Sequence, residues 1–336
     1  MDPGLAVAIA LAIAFAVTNG LLDASNSIAT LVATRAARPG QAIVLATIFN
    51  LVGPFLVGAA VADTVGGLVK VSPSDTTEVI GCGLAAALTW NLIVYWLGLP
   101  SSSGHALVGG LVGAALVEGG VNAVNWGGIE SGRPVGVFGV LIALALAPVL
   151  GGLAALVVIR ALRRLARRAT RTWDPSVTAG QWAMSSALAF SHGANDAQKA
   201  VGVIAALLLG AGKIDSLSAP TWATLACAVA LTAGTALGGW RIIRTVGQRI
   251  YRLQPIEGLA SQTSSAGVIL GASLLGAPTS TSQVVASSVV GIGGGRTRLR
   301  HVNWSVMRQI ALAWLITIPV TGALAGAVLA LWRGIT

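Results

Sequence analysis

Long apolar stretches separated by short polar connections dominate the pattern of this 336-residue chain. Most of them reach or exceed the ~20 residues that a helix needs to cross a bilayer, so the pattern predicts membrane-spanning α-helices. The stretches cover residues 5–34, 41–62, 79–117, 135–159, 180–211, 219–240, 256–292 and 309–332. We therefore expect an all-α integral membrane protein, multi-pass in a cell membrane, with the lipid bilayer as its solvent.

Two of these stretches are interrupted near their middle by a proline that is followed by hydroxyl residues. Pro100-Ser101-Ser102-Ser103 lies within the first, and Pro278-Thr279-Ser280-Thr281 lies within the second. Such an interruption exposes backbone N–H groups where the next helix begins, and lipid offers them no acceptor. The pattern predicts two re-entrant helical hairpins, at about 78–118 and 256–292.

A second constellation also occurs twice. The segment 19–26 is echoed by the segment 192–199, and each copy places an aspartate, Asp23 or Asp196, inside an apolar stretch. Both constellations recur in the same order, which indicates an internal duplication. Repeats around ionisable residues within the membrane are typical of secondary transporters.

The distribution of positive charge predicts the orientation of the repeats. The formal net charge is +10, and the basic residues cluster in short connections, most densely in the linker 160–179 between repeats 1–159 and 180–336. Excess Lys and Arg in short loops marks the cytoplasmic side, so the linker is predicted to be cytoplasmic and both termini outside. The repeats then have inverted topology, and no nucleic-acid partner is expected. The clusters are Arg160, Arg163, Arg164, Arg167, Arg168 and Arg171, then Arg241, Arg244, Arg249 and Arg252, then Arg296, Arg298 and Arg300.

The hydroxyl-rich interruptions predict an anion site. A helix N-terminus offers N–H donors and the positive end of the helix dipole, and Ser or Thr hydroxyls add further donors. Two inverted hairpins would bring two such N-termini together from opposite sides of the membrane. A structural role, in which the hydroxyls cap short helices or join helix pairs, stays open.

The two aspartates predict that a cation is handled beside the anion. Asn26 follows Asp23 by three residues and Lys199 follows Asp196 by three, so each pair shares one helix face. Asp with Asn offers oxygen ligands for a hard cation, and Na⁺, if used, would bind at Asp23, Asn26 and Asp196. In the second pair the Lys199 ammonium would occupy the place of a bound cation beside Asp196. This favours H⁺, carried by a carboxylate, as the coupling ion. A structural pairing of Lys199 with Asp196 stays open.

These motifs resemble the inorganic phosphate transporter (PiT) family, in particular its bacterial branch. The resemblance lies in Phe15 to Ala33, Trp90-Asn91-Leu92, Leu99 to His105, Ser191 to Asp196 and Thr279 to Ser282. It implies inverted repeats, two re-entrant hairpins and cation-coupled phosphate uptake without a cofactor. Carried over by position, the anion ligands would be Ser101, Ser102, Ser103, Thr279, Ser280, Thr281 and Ser282. The coupling-ion residues would be Asp23, Asn26, Asn195, Asp196 and Lys199.

Three positions depart from the family's pattern. Lys199 stands where sodium-coupled members tend to have Asn, which leaves H⁺ and Na⁺ both open as the coupling cation. Gly104 and Gln283 stand where Thr and His are common, which leaves phosphate and sulfate both open as the anion. Near neutral pH, phosphate keeps at least one proton and can donate a hydrogen bond to a carboxylate. Sulfate carries no such proton, so two carboxylates near the hairpins favour phosphate.

Two other classes of protein fit the motifs less well. An intramembrane hydrolase built on Ser101, His105 and an Asp is remote, because the second copy has Gln283 where the first has His105. An ion channel also stays open, although paired closed hairpins suit alternating access better. We expect a transporter and no enzyme, with a homo-oligomer left open.

Overall fold

The computed structural model describes residues 2–130, 133–168, 174–238, 250–251, 253–295 and 302–335. Within those ranges the chain is helical apart from short connections and one antiparallel pair of two-residue strands, β1 (Ile129–Glu130) and β2 (Arg133–Pro134). The helices are α1 (Pro3–Ala33), α2 (Pro39–Leu56), α3 (Ala60–Gly66), α4 (Thr76–Leu97), α5 (Ser103–Gly119), α6 (Gly136–Leu165), α7 (Asp174–Gly210), α8 (Thr221–Leu237), α9 (Pro255–Leu274), α10 (Thr281–Gly295) and α11 (Trp304–Ile335). Short 3₁₀ turns follow α5 at Gly120–Ala123 and α6 at Ala166–Arg168. The predicted all-α architecture is confirmed.

Local sequence explains where several helices begin. α1 has Pro3 in its first turn, where the missing N–H costs nothing, and the side chain of Asp2 caps the helix. α9 begins in the same way, with Pro255 in its first turn and a capping box between Gln254 and Glu257. The helix starts are therefore set by proline and capping residues within the apolar sequence.

Among the described residues, six helical stretches are long and apolar enough to cross a membrane: α1, α2, α4, residues 103–123, α6 and α11. Only 28% of the most apolar window of α6 and 33% of that of α11 are buried inside the structure, which suits helices that face lipid. α8 is apolar but shorter, with 17 residues. The chain is thus a multi-pass membrane protein.

The helices pack in pairs that are related by exchanging the two halves of the chain. α1 packs against α8 as α7 packs against α2, and α1 packs against α4 as α7 packs against α9. Farther out, α5 packs against α11 as α10 packs against α6. α1 and α7 also contact each other, so the two aspartate-bearing helices lie together at the centre of the molecule.

Glycines permit the closest of these contacts. A Cβ on Gly20 of α1 would lie 2.0 Å from the carbonyl oxygen of Leu231 on α8. The equivalent contact joins α7 to α2, where a Cβ on Gly193 would lie 2.3 Å from the carbonyl oxygen of Asn50. Small residues at helix interfaces let backbones approach closely in membranes. Each aspartate motif therefore carries a glycine that seats its helix against a partner.

Two predicted segments differ in extent from the helices observed. The predicted span 41–62 is wrong at its far end, because α2 ends at Leu56 and the separate helix α3 begins at Ala60. Gly58 between them has φ +85°, a conformation that glycine adopts without strain and that ends a helix. The predicted linker 160–179 is partly helical, since α6 runs to Leu165 and α7 begins at Asp174.

Several basic residues used to predict the orientation lie outside the described residues. They are Arg171 in the linker, the cluster Arg241, Arg244, Arg249 and Arg252, and the cluster Arg296, Arg298 and Arg300.

Candidate functional site

The two proline interruptions form matching connections inside the helical core. We call residues 98–103, between α4 and α5, the first tip and residues 275–282, between α9 and α10, the second tip. Each has a glycine at positive φ at or next to its first residue, Gly98 at 65° and Gly276 at 71°, and a proline two residues after that glycine. Glycine there ends the first helix of each pair, and the proline sets the direction of the second.

The hydroxyls of Ser102 and Ser280 cap the helices that leave the tips. Ser102 Oγ accepts a hydrogen bond from the backbone N–H of His105 at 3.2 Å, and Ser280 Oγ accepts one from Gln283 at 3.4 Å. These two hydroxyls thus have the capping contacts that the sequence left open as an alternative. A capping oxygen can still donate its own O–H group, and Ser280 Oγ lies 3.1 Å from Ser282 Oγ.

The first tip contacts Asp23. Ser103 Oγ lies 3.1 Å from Asp23 Oδ2 and 2.7 Å from Asn19 Oδ1, so this hydroxyl connects the tip to α1. Asp23 Oδ1 accepts a 2.7 Å hydrogen bond from Asn26 Nδ2. All four side chains are buried. The hydrogen-bond donors at Asp23 are therefore neutral hydroxyl and amide groups.

The second tip contacts Asp196 in the equivalent way. Thr281 Oγ1 donates to Asp196 Oδ2 at 3.1 Å, as Ser103 does to Asp23. Lys199 Nζ forms an ion pair with Asp196 Oδ1 and donates a 2.6 Å hydrogen bond to the backbone oxygen of Thr279. The lysine is 1% exposed, so its ammonium relies on these partners instead of water. This ion pair confirms the prediction that Asp196 and Lys199 lie on the same face of one helix.

The two tips meet each other. Ser282 Oγ donates a 2.7 Å hydrogen bond to the backbone oxygen of Ser101. The hydroxyl of Ser101 lies 3.2 Å from both Trp90 Nε1 on α4 and Thr317 Oγ1 on α11. The N-termini of α5 and α10, one from each half of the chain, are thereby held side by side in the core.

A histidine lies between the two aspartates. Ligand atoms of Asp23, His192 and Asp196 all lie within 4.8 Å of one another, and all three residues are buried. His192 Nε2 is 2.9 Å from Asp196 Oδ2, although the two are not aligned as a hydrogen bond, and Nδ1 is 2.9 Å from Asn50 Oδ1. Two carboxylates this close repel each other when both are ionised, so the cluster favours binding a proton or a cation.

Two of the predicted residues have polar atoms without a partner. The side-chain oxygen of Asn26, Oδ1, and the hydroxyl of Thr279 have no hydrogen-bond partner within the described part of the chain. Asn195, by contrast, is fully engaged: its amide donates to Ser273 Oγ at 2.9 Å, and its oxygen accepts from the backbone N–H of Thr279 at 3.1 Å. An amide oxygen and a hydroxyl without partners are groups that a cation or anion could contact.

The sequence-based site omitted five residues that the structure brings to it. They are Asn19, Asn50, Trp90, His192 and Thr317. Asn19 and His192 begin the two copies of the aspartate motif, so their matching positions were a usable signal. Asn50 and Thr317 had none, because each lies on a helix far from either motif in the sequence.

The arrangement does not fit a serine hydrolase. The hydroxyl of Ser101 contacts Trp90 and Thr317, and the backbone N–H of His105 donates to Ser102 Oγ. The ring nitrogen Nδ1 of His105 has no hydrogen-bond partner among the described residues. A general base has to contact its nucleophile and be oriented by a third group.

Comparison with known proteins agrees with this picture. The sequence profile described as "Phosphate transporter family" matches residues 19–325. A "Probable low-affinity inorganic phosphate transporter" of Mycobacterium bovis is 38% identical over 95% of this chain and 75% of its own length. Proteins with the same name from Rhizobium meliloti and Bacillus subtilis are 37% and 34% identical, each over more than 90% of both chains.

A solved structure is similar over the whole fold. The structure titled "The sodium-dependent phosphate transporter" superposes with a TM-score of 0.87 at 27% identity, covering 99% of this chain and 100% of that one. The fold and its buried polar centre therefore define a multi-pass helical membrane transporter. The chain belongs to the phosphate transporter family, as the matching profile and the bacterial relatives show.

Proposed function

We propose that this protein imports inorganic phosphate by symport with a cation and binds the anion where the two tips meet. The observation that carries the proposal is the hydrogen bond from Ser282 Oγ to the Ser101 oxygen, which holds the N-termini of α5 and α10 together. Each N-terminus contributes N–H donors and a partial positive charge, and the tip hydroxyls add donors. The proposed anion ligands are Ser101, Ser102, Ser103, Thr279, Ser280, Thr281 and Ser282.

The exchange of packing partners between the halves supports inverted repeats, with α4–α5 and α9–α10 as re-entrant hairpins. In this arrangement the first repeat is 1–159, the linker is 160–179 and the second repeat is 180–336. The linker lies in the cytoplasm because of its arginines, and both termini lie outside. Alternating access then exposes the tips to one side of the membrane at a time.

We propose that Asp23 carries the coupling cation and that Asp196 stays ionised. Asp196 is paired with the Lys199 ammonium, whereas Asp23 accepts from the neutral groups of Ser103 and Asn26. A buried carboxylate without a fixed counter-charge is the one that gains most from a proton or a bound cation. Lys199 then replaces one transported cation with a permanent charge, and H⁺ at Asp23 is the favoured coupling ion.

Sodium is the second candidate for the coupling ion. Asp23 and the unpartnered Oδ1 of Asn26 are hard oxygen ligands, and one similar structure is titled a sodium-dependent transporter. Asn195, which binds the backbone of Thr279, would position the second tip in either case. The coupling-ion residues are proposed to be Asp23, Asn26, Asn195, Asp196 and Lys199.

Phosphate is favoured over sulfate because of the carboxylates that contact both tips. Asp23 and Asp196 accept hydrogen bonds from Ser103 and Thr281 at 3.1 Å, so an anion at the tips would lie near both acids. A protonated phosphate oxygen can donate to such a carboxylate, and sulfate has no donor. A site whose polar groups stay unpaired with the wrong ligand discriminates strongly.

Uptake by reconstituted protein tests these proposals together. Labelled phosphate and labelled sulfate are offered separately to proteoliposomes under an inward Na⁺ gradient, under an inward H⁺ gradient, and under neither. Concentrative phosphate uptake that requires the H⁺ gradient and collapses with a protonophore is expected. Equal accumulation of sulfate would contradict the substrate, and uptake that never exceeds equilibrium would indicate a channel.

A further inference from the structure

A column of polar side chains leads away from the site along α1. Asp23, Asn26, Thr30 and Thr34 are spaced by three or four residues, so they share one face of the helix. Asn26 and Thr30 are each 1% exposed. The column ends one residue before Arg35, in the connection that the charge distribution assigns to the cytoplasm.

Polar atoms along this column and on the helices beside it lack hydrogen-bond partners within the described residues. They are Asn26 Oδ1 and Thr30 Oγ1 on α1, Gln181 Nε2 on α7, and both Gln262 Nε2 and Oε1 with Ser265 Oγ on α9. Gln181, Gln262 and Ser265 are 0% exposed. A buried polar group without a partner loses its hydrogen bonds to water and gains none in return, so a row of them is unusual in a structural interface.

The three helices meet at the far end of the column. Thr34 Oγ1 lies 2.6 Å from Gln181 Oε1. A Cβ on Gly258 of α9 would lie 2.8 Å from both Gln181 Oε1 and Thr34 Cγ2, so the glycine faces this contact directly. Gln262 and Ser265 follow Gly258 by four and seven residues and therefore share its face of α9. The unpartnered atoms belong to one seam between α1, α7 and α9.

We propose that this seam is the release path through which the transported anion and cation pass from the tips to the cytoplasm. The inference rests on the proposed function and adds the route to it. Its lining residues are Asn26, Thr30, Gln262 and Ser265. In the present structure the path is closed, and its polar groups gain partners only when α9 separates from α1 and water enters.

Two contacts seal the cytoplasmic end of the path. One is the hydrogen bond between Thr34 and Gln181, against which Gly258 packs. The other is the ion pair between Arg163 of α6 and Glu257, the residue before Gly258, at 2.9 Å. Both involve the first turn of α9, so movement of that turn opens the seal on two sides at once.

Thiol labelling from each side of the membrane tests the route. The two cysteines, Cys82 and Cys227, are free and are replaced by alanine to give the parent for single-cysteine variants. Ser265→Cys and Thr30→Cys are then treated with an anionic, membrane-impermeant methanethiosulfonate in inside-out vesicles and in intact cells. With phosphate and the coupling gradient present, we expect labelling about tenfold faster in inside-out vesicles, because a hydrated thiol ionises and a dry one does not.

Gly267→Cys is the matched control on the same helix. Gly267 is exposed, a Cβ added there would have no atom within 4 Å, and it lines a mostly apolar groove between α9 and α6 instead of the seam. A thiol at this position is therefore expected to react slowly from both sides. Labelling of Ser265→Cys that is no faster than that of Gly267→Cys, or that comes only from outside, would overturn the route. Failure of the unsubstituted protein to take up phosphate would instead count against the proposed function.

A stability measurement separates a transport role of Gln262 from a structural one. Gln262→Leu removes an unpartnered buried amide, so we expect a higher melting temperature together with slower phosphate uptake. Gln198→Leu is the control, because Gln198 accepts from Val61 N at 3.0 Å and also donates to the Gly58 oxygen. That variant is expected to melt at a lower temperature. A lower melting temperature for Gln262→Leu would mean that its amide is structural and would refute its role in the path.

Discussion

The ammonium of Lys199 donates a 2.6 Å hydrogen bond to the backbone oxygen of Thr279, so a buried lysine on α7 is tied to the second tip. The same ammonium pairs with Asp196, and Thr281 from that tip donates to Asp196 as well. A fixed positive charge therefore lies between the central helix and the connection proposed to bind the anion. Replacing Lys199 should therefore change both the dependence of uptake on the coupling ion and the binding of phosphate.

Lys199→Asn should weaken proton-driven phosphate uptake and make the remaining uptake depend on sodium. Asparagine removes the permanent charge and supplies an amide oxygen next to Asp196, where a sodium ion could bind. Initial uptake rates in proteoliposomes with and without a Na⁺ gradient measure the change. Unchanged rates and unchanged ion dependence would show that the ammonium serves only as a structural partner of Asp196.

Asp23→Asn should fold normally and lose concentrative uptake, because asparagine keeps the contacts with Ser103 and Asn26 but cannot take up a proton. Asp174→Asn is the control, since Asp174 is exposed at the start of α7 and lies about six helical turns before Asp196 on the same helix. Membrane insertion is followed by quantitative blotting, and uptake by labelled phosphate. Full uptake by Asp23→Asn would remove Asp23 from the coupling mechanism.

Asp196→Asn should lose uptake and also lose stability, which distinguishes it from Asp23→Asn. The substitution leaves the Lys199 ammonium buried without its carboxylate, and breaking a buried pair in this way costs about 3–5 kcal/mol. Thermal unfolding of the purified protein in detergent measures the difference between the two variants. Equal melting temperatures would indicate that Lys199 finds another counter-charge, for which the nearby Asp23 carboxylate is the candidate.

Gly20→Ala should destabilise the protein by about 3 kcal/mol, at the upper end of the range for overpacked sites. The new methyl group would lie 2.0 Å from the Leu231 carbonyl oxygen, and backbone cannot move aside as a flexible side chain can. Gly271→Ala provides a comparison, because a Cβ there meets no atom within 4 Å. The melting temperatures of the two variants should diverge, and similar values would mean that α1 and α8 separate at little cost.

Arg163→Met and Arg333→Met should differ in their effects on stability. Arg163 pairs with Glu257, whose side chain is 0% exposed, so its loss removes the counter-charge of a buried carboxylate and costs about 3 kcal/mol. Arg333 is 41% exposed, and its partners Asp75 and Glu118 are 33% and 10% exposed, so water screens these pairs more than the pair at Glu257 and each contributes about 0–1 kcal/mol. Unfolding in detergent compares the two. If Arg333→Met lowered the melting temperature more, the Arg163–Glu257 ion pair would not be the more stabilising of the two.

Much of the local structure was predictable from the sequence. The length of the apolar stretches predicted the all-α membrane fold, and the interruptions at Pro100 and Pro278 correctly located both tips. Spacing by three residues predicted the contact between Asp196 and Lys199, which the structure confirms. These features depend on neighbours within one or two helical turns, so a pattern in the sequence carries them. The break at Gly58 was missed because the apolar composition continues through it.

The sequence alone determined that this protein lies in a membrane, where its helices run and break, and that its polar motifs are duplicated. Only the tertiary structure decided which distant residues meet: Ser282 with Ser101, Ser103 with Asp23, and Gln181 with Thr34. Those pairs are separated by 181, 80 and 147 residues along the chain. Their contacts follow from how whole helices pack, and close packing at glycines such as Gly20 depends on the shape of both partners. Hydrophobic periodicity describes one helix at a time, so it cannot choose the partner.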